Sequence, residues 1–465
     1  MTRIAKRGCR RIVSCILLTA VLFAAVPYAN IAADESVISI STAEDLKNLA
    51  NNCVYDAYSK DKKVILNNDI DLAGESIKPI AVFSGTIEGN NHTISNFVLE
   101  EKGSEKAFII RLAEGATVRS LTLSGEINIV PEQKASTSFK NTLSNMAKSF
   151  GLKYEDDTES TTNVGGIVAT NYGSVVGCVF HGKITGDTAV GGIVGENRVS
   201  GVVDYCTNDA AVVGKSQVGG VVGNNAGRIE SSGNFGTVNQ ELDAVYSDIG
   251  GIAGKNSGLI RGCNNGGEIG TNGIGNNIGG IAGQTEKFSG MGGIIKECLH
   301  AGQLKVSGGK AYVGQICGLA ASNIINSSGG LNAHILNCYG RTGSISLVGS
   351  SDEKLTTGGL LTDTQLKDAA SYKGWNFDGD WKISDDGIPT RTDSSDITSL
   401  SVKNAPASCY IGEIPWNFGT LVINNKTEIS ITRDMIRGFD NSMEGTNTIS
   451  ITYKGKQTTF SLPIS

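Results

Sequence analysis

Aliphatic residues return in register along the middle of this chain. Val164, Val190, Val218, Ile249 and Ile278 each stand immediately before a Gly-Gly pair, and Val313 before Gly314. Just after it come Ile167, Ile193, Val221, Ile252, Ile281 and Ile316. A third column holds Val175, Val203, Ile229, Ile260, Ile295 and Ile335, followed three residues later by Cys178, Cys206, Ser232, Cys263, Cys298 and Cys338. Six residues beyond stand Ile184, Val212, Val238, Ile269 and Leu304, and the last repeat slips by one to Ile345. Self-similarity at a spacing of 26 to 35 residues marks a solenoid. The segments are short and alternating, which suits one coil of a parallel β-helix with coils stacked about 4.8 Å apart. A β-propeller blade needs about 40–50 residues, and the glycine pairs exclude an α-solenoid. The same template fits Val118, Leu121, Gly125 and Ile127, with Ile94 and Phe97 as an earlier trace. The pattern predicts an all-β, right-handed parallel β-helix of pectate-lyase-like type with about seven or eight coils.

The flanks break the pattern and predict caps. Thr42–Cys53 reads as a short helix capped by Thr42, with Leu46, Leu49, Ala50 and Cys53 on one face. Strands are expected at Lys63–Leu66, Ile70–Leu72 and Phe83–Ile87. A polar insertion at 131–163 interrupts the ladder, and its middle fits an amphipathic helix through Phe139, Leu143, Met146 and Phe150. A helix at Thr362–Ala370 and the aromatic segment Gly374–Pro389 are expected to close the far end. Short alternating segments from 393 to 465, broken by turns such as Asn424-Asn425 and Lys454-Gly455, predict a separate small antiparallel sandwich.

Glycine, at 61 residues, is nearly twice its ordinary share, while prolines number 7. Tight turns explain that excess better than disorder does. Residues 1–33 carry Arg3, Lys6, Arg7, Arg10 and Arg11, then an apolar run too short to span a bilayer, then small residues at Ala29, Ala32 and Ala33. That is the pattern of a secretory signal peptide. Without its five cations the chain holds 35 basic against 46 acidic residues, a net charge of −11. Such a balance argues against nucleic acid or an anionic membrane surface as partner. The expectation is an extracellular, monomeric protein with no transmembrane segment after residue 33.

The phrases GGIVGEN at Gly191, GGVVGNN at Gly219 and GGIAGKN at Gly250 resemble the GLUG repeat of bacterial exported and surface proteins. The resemblance covers about Phe83–Leu361. ISTAEDLKNLAN with FSGTIEGNNHTISN is similar to the opening segment of those proteins, and Gly374–Pro389 to their exit. Copies at Gly165 (Ala169 for the third glycine), Gly279 (Thr285 for asparagine) and Gly314 (GQICG) depart from the phrase. GFDNSMEGTNTISITYKGKQTTFSLPI resembles the end of a bacterial immunoglobulin-like domain. The resemblance implies an adhesin-like setting at the cell envelope and assigns no site residue.

Little catalytic chemistry is written in the chain. His92, His181, His300 and His334 make no H-E-x-x-H pair, and neither a G-x-S-x-G elbow nor a P-loop occurs. Glycoside cleavage needs two carboxyl groups about 5–10 Å apart. The candidate pairs are Asp69 with Asp71, and Asp378 with Asp380 beside Asp385 and Asp386; calcium at Asp378–Asp386 is an alternative use of the latter set. Asp-Gly turns account for the second set without chemistry. No catalytic, cofactor or metal residue is assigned. Cys178, Cys206, Cys263, Cys298 and Cys338 are expected to form an interior ladder of small side chains, with disulfides between adjacent coils as the alternative. Tyr172, Phe180, Tyr205, Phe235 and Tyr339 lie at turns and could meet a carbohydrate or sit under loops. These observations favour a non-enzymatic protein that binds a host surface, glycan or envelope component along its coil face. A polysaccharide lyase or glycosidase is the first alternative, and a structural spacer the second.

Overall fold

The computed structural model describes residues 36–465 apart from 74, 76, 102–104, 130–161, 241–246, 272–276, 289–290, 308–311, 321–333, 352–355, 378, 386, 393–396, 416, 432–434, 438, 440–441 and 454–455. The expected signal peptide at 1–33 and the insertion helix therefore lie outside the described residues. So do Asp378, Asp386 and the Lys454-Gly455 turn.

Parallel strands stack in three walls. One sheet has 23 strands, a second nine and a third six, all three built from parallel pairings. Each sequence column finds its place in register. Val164, Val190, Val218, Ile249, Ile278 and Val313 pair in turn along the six-stranded wall. Ile38, Val64, Ile87, Val118, Val175, Val203, Ile229, Ile260, Ile295 and Ile335 make one unbroken column of the largest wall. That column has ten levels and the second wall nine, against the expected seven or eight coils. The first levels lack the Gly-Gly phrase, so the repeats do not announce them. The aliphatics of these columns from Val64 to Ile335 are buried in one continuous core, with Ile38 and Val313 partly buried against it. Burial of each such side chain contributes about 1.5–3 kcal/mol.

The amino-terminal end is closed as the pattern predicts. Helix Ala43–Asn52 begins at Thr42, whose hydroxyl accepts from the Asp45 amide while the Asp45 side chain reaches back to the Thr42 amide. Leu46, Leu49 and Ala50 are buried along the predicted face, with Cys53 at its end. The strand expected at Phe83–Ile87 is instead two strands, Ile80–Phe83 and Thr86–Glu88, on different walls. A bend at Ser84–Gly85 divides them. A Cβ on Gly85 would lie 2.3 Å from the Lys62 carbonyl oxygen, so only glycine fits the corner.

The cysteine column is interior. Cys178, Cys206, Cys263, Cys298 and Cys338 are fully buried free thiols, and Ser232 takes the same place. Ser232 satisfies its hydroxyl on the Glu230 carbonyl at 2.8 Å. Beside this column run two polar ladders that sequence reading left unassigned. Asn171, Asn197, Asn225 and Asn256 are buried, each Nδ2 donating to the next Oδ1 at 2.8 Å, until Asn256 donates to the Thr285 hydroxyl at 3.2 Å. Asn208, Asn234 and Asn265 form the second, which ends on His300 Nδ1 at 3.0 Å from Asn265 Nδ2. Stacked amides satisfy one another coil by coil, which is what lets them sit in the core.

The far cap differs from expectation. Only Asp363–Leu366 is α-helical, followed by a 3-10 turn at Ala369–Ser371. Leu366, Tyr372, Trp375 and Trp381 pack with Leu299, Ala301, Tyr339 and Leu361 in a cluster apart from the interior core. Leu299 and Tyr339 directly follow Cys298 and Cys338 and so point outward. This segment therefore covers the outer face of the last coils. Beyond it, Leu400–Lys403, Thr420–Ile423 and Thr427–Ser430 form one antiparallel sheet, and Ile436–Arg437, Gly445–Tyr453 and Lys456–Ile464 another. Leu421, Ile423, Ile449, Ile451 and Leu462 share the core between them. Asn424 and Asn425 both take positive φ, 53° and 55°, at the hairpin turn.

Candidate functional site

Of the acids singled out from sequence, Asp69, Asp71, Asp380 and Asp385 lie among the described residues. Asp69 accepts from the Thr93 amide at 2.9 Å and meets His92 Nδ1 at 3.0 Å. Asp71 accepts from Asn96 Nδ2 at 2.6 Å and from the Ala73 amide at 2.9 Å. Hydrogen bonds from Thr93 and from Asn96, respectively, hold both carboxyls below their ordinary range. A general acid needs the opposite shift. Asp380 accepts from the Tyr453 hydroxyl at 3.3 Å, and Asp385 is exposed. No cluster of three or more His, Cys, Asp or Glu suited to a metal ion occurs among the described residues.

One acid pair appears where none was expected. Asn163 Nδ2 donates to Glu105 Oε1 at 3.1 Å and to Glu196 Oε2 at 3.0 Å, so these oxygens are at most about 6 Å apart. Arg198 holds Glu196 at 2.9 Å, and Thr170 donates to Glu105 at 2.7 Å. Burial raises the Glu196 carboxyl, with Arg198 opposing. Every group in this clasp has its partner, and the clasp pins Asn163 at a φ of 63°. It is the structural account of these acids.

The aromatics divide sharply. Phe180 and Tyr339 are buried, Tyr172 lies beneath Arg111 with its ring centroid 4.7 Å from the guanidinium, and Tyr205 is largely covered. Phe235 is 54% exposed. Its ring lies close against bare backbone: a Cβ on Gly233 would come within 2.9 Å of it, and one on Gly266 within 3.0 Å. Two glycines in adjacent coils thus form the seat of an outward aromatic plate.

Two residues beyond Gly266 along the chain, Glu268 begins the lining of an open depression of about 450 Å³. Asn239, Gln240, Glu268, Gly270, Lys305, Val306 and Ser307 line it. Asn239, Gly270 and Lys305 are register partners in three successive coils. Gly270 leaves the gap between the other two, for a Cβ there would be 2.5 Å from Asn239 Oδ1. Lys305 and Glu268 pair at 2.7 Å and cancel each other's charge. Among the described residues the rest of the lining is the amides of Asn239 and Gln240, the Val306 side chain and the Ser307 hydroxyl. Sequence reading found Phe235 but not the depression, because Asn239, Gly270 and Lys305 are remote along the chain.

No family model and no curated protein sequence matches this chain. Among solved structures it is similar to a Bacteroides ovatus protein described as a "putative immunoglobulin A1 protease". The identity is 17% and the TM-score 0.45, over 76% of this chain and 91% of that one. No helix among the described residues is long and apolar enough to cross a membrane.

Proposed function

We propose that this protein is an exported, surface-associated binding protein that holds a neutral polysaccharide on the face carrying Phe235, in an adhesin-like manner. The observation that carries the reading is the exposed Phe235 ring seated on Gly233 and Gly266, with the depression lined by Asn239 and Gln240 following along the same coils. A pyranose presents a C–H face to such a ring and hydroxyls to amides such as Asn239. A solenoid face suits a chain ligand because its contacts repeat with the coil. The resemblance of the repeated phrase to GLUG proteins supports an envelope setting.

The test is to incubate residues 34–465 with an array of host and plant glycans and matrix proteins, scoring retention and chain cleavage together. Retention of a neutral glycan, lost at least tenfold in Phe235→Ala, supports the reading. Cleavage of the retained chain replaces it with a polysaccharide-active enzyme. Retention of nothing leaves a structural spacer.

A further inference from the structure

A second feature lies on the largest wall, where the C-terminal region folds against the coils. Asp204, Glu230 and Arg261 are outward register partners in three successive coils. Glu230 is fully engaged, accepting from Arg228 at 2.9 Å and from Arg261 at 3.1 Å. Asp204 is mostly covered, and its Oδ1 is buried without any hydrogen-bond partner. Arg391 belongs to the hairpin Trp381–Ile383 with Pro389–Arg391 and faces this strip. Its guanidinium lies 5.0 Å from the Trp381 ring centroid, in space that Gly262 leaves open at φ 66°. Arg391 Nε is also buried without a partner. Asn264 ties the hairpin down by donating to the Pro389 carbonyl at 3.2 Å. From the C-terminal module, Tyr453 donates to Asp380 at 3.3 Å, and Arg391 stands 3.8 Å from the same carboxylate oxygen.

We propose that this contact is proton-linked: the hairpin and the C-terminal module dock on the Asp204–Arg261 strip with Asp204 protonated, and ionisation of Asp204 loosens the dock. A charged Asp204 would have to keep Oδ1 dehydrated and unpaired, beside the anionic Glu230. The groups that face it are Glu230 and Arg261 on the strip, Tyr205 on its own coil and Arg391 from the hairpin. Tyr453 and Asp380 stand behind Arg391. Burial is the largest influence and Glu230 the next; together they lift the carboxyl to about 7 against the pull of Arg391, the Tyr205 backbone and Arg261. Undocked and solvated, Asp204 returns to its ordinary value of 3.8. Between those values the docked form holds a proton that the undocked form releases. Docking therefore weakens as pH rises, by up to about tenfold per unit, and levels off above about 7.

The test places a donor–acceptor dye pair on Lys183→Cys and Glu444→Cys in the chain 34–465. Both positions are exposed, and the eight native thiols of the described chain are buried and will not label. Urea brings undocking into a measurable range, read as loss of energy transfer, while circular dichroism follows the coils. The expected result is a transfer midpoint that falls from pH 4.5 to pH 7 and is flat above. Asp204→Asn removes that dependence, and Asp204→Ser does the same should the amide fold poorly. The proposal is overturned if the variants keep the wild-type pH dependence, or if the dichroism midpoint shifts in step with the transfer midpoint.

Discussion

Gln315 and Gly340 exchange the places that a glycine and a larger side chain hold in each of five earlier coils. Gly166 faces Phe180, Gly192 faces Asn208, Gly220 faces Asn234, Gly251 faces Asn265, and Gly280 faces His300. In each pair the larger side chain fills the space of the missing Cβ; at Gly280 that Cβ would be 2.2 Å from His300 Cγ. In the last coil the glycine is Gly340, where a Cβ would come within 2.6 Å of Gln315 Cβ. The second glycine of the repeated phrase is thus required both by the side chain across the coil and by the next coil's backbone carbonyl. The exchange is possible at this level because the turn that follows, Ser346–Leu347, no longer stacks a Gly-Gly carbonyl over position 315.

The exchange leaves His300 with a buried Nε2 that has no partner. Gln315→Gly alone opens a void, and Gly340→Asn alone crowds two side chains into one space. Each is expected to cost about 1–3 kcal/mol. The double variant restores the earlier arrangement and offers Nε2 an acceptor. Its stability is expected to exceed the sum of the single effects by about 1–3 kcal/mol in a double-mutant cycle from urea midpoints. Simple additivity would show that the two positions do not share the space.

His300 also sets an acid limit. Burial lowers its pKa from 6.5 to about 4, with Arg341 adding to the effect and the Asn265 contact opposing it. The unfolded chain therefore binds a proton below 6.5 that the folded chain refuses until about 4. Stability is full above 6.5 and falls as pH drops through that window, by about 2–3 kcal/mol at pH 4.5. Asp204 carries the opposite sign over 3.8 to about 7, so the term is isolated by comparing wild type with His300→Asn. The variant is expected to lose less stability between pH 7 and pH 4.5. Parallel curves would remove His300 as the cause.

The Asn ladder predicts a graded response at its centre. Asn225 accepts from Asn197 at 2.8 Å and donates to Asn256 at 2.8 Å. Asn225→Ala orphans a buried donor and a buried acceptor, for a loss of about 2–4 kcal/mol. Asn225→Thr is expected to lose about half of that, because Thr285 shows that a hydroxyl can take a place in this column. Denaturant midpoints for the three chains test the order.

Much of this architecture is legible in the sequence, and the limits have physical causes. The columns of Val and Ile give the walls because aliphatic spacing repeats with the coil, and Leu121 is rightly placed one coil before Cys178. The asparagine ladders are not legible, since in one coil an interior Asn cannot be told from a turn Asn; only stacking satisfies it. The outward turn of the far cap is equally hidden, because Trp375 and Trp381 would suit an end or a side. Phe235 is visible as a turn aromatic, but its exposure depends on Gly233 and Gly266, which meet it only through coil stacking.

Burial pushes Cys263 and Cys298 far above the ordinary thiol range, so neither is a thiolate at neutral pH. Cys409 and Cys53 are buried as well. Alkylation of the folded chain 34–465 followed by mass measurement is therefore expected to leave all eight thiols unmodified. Denaturant should release those inside the coils together, over the same range as the loss of circular dichroism, because the ladder shares one core. Cys263→Ser should fold with a loss of about 1–2 kcal/mol, as Ser232 already serves in that column with a backbone acceptor. Cys263→Leu should cost more, since it adds volume to a filled site. Ready labelling of the native chain at one of the five column cysteines would contradict a closed core at that coil.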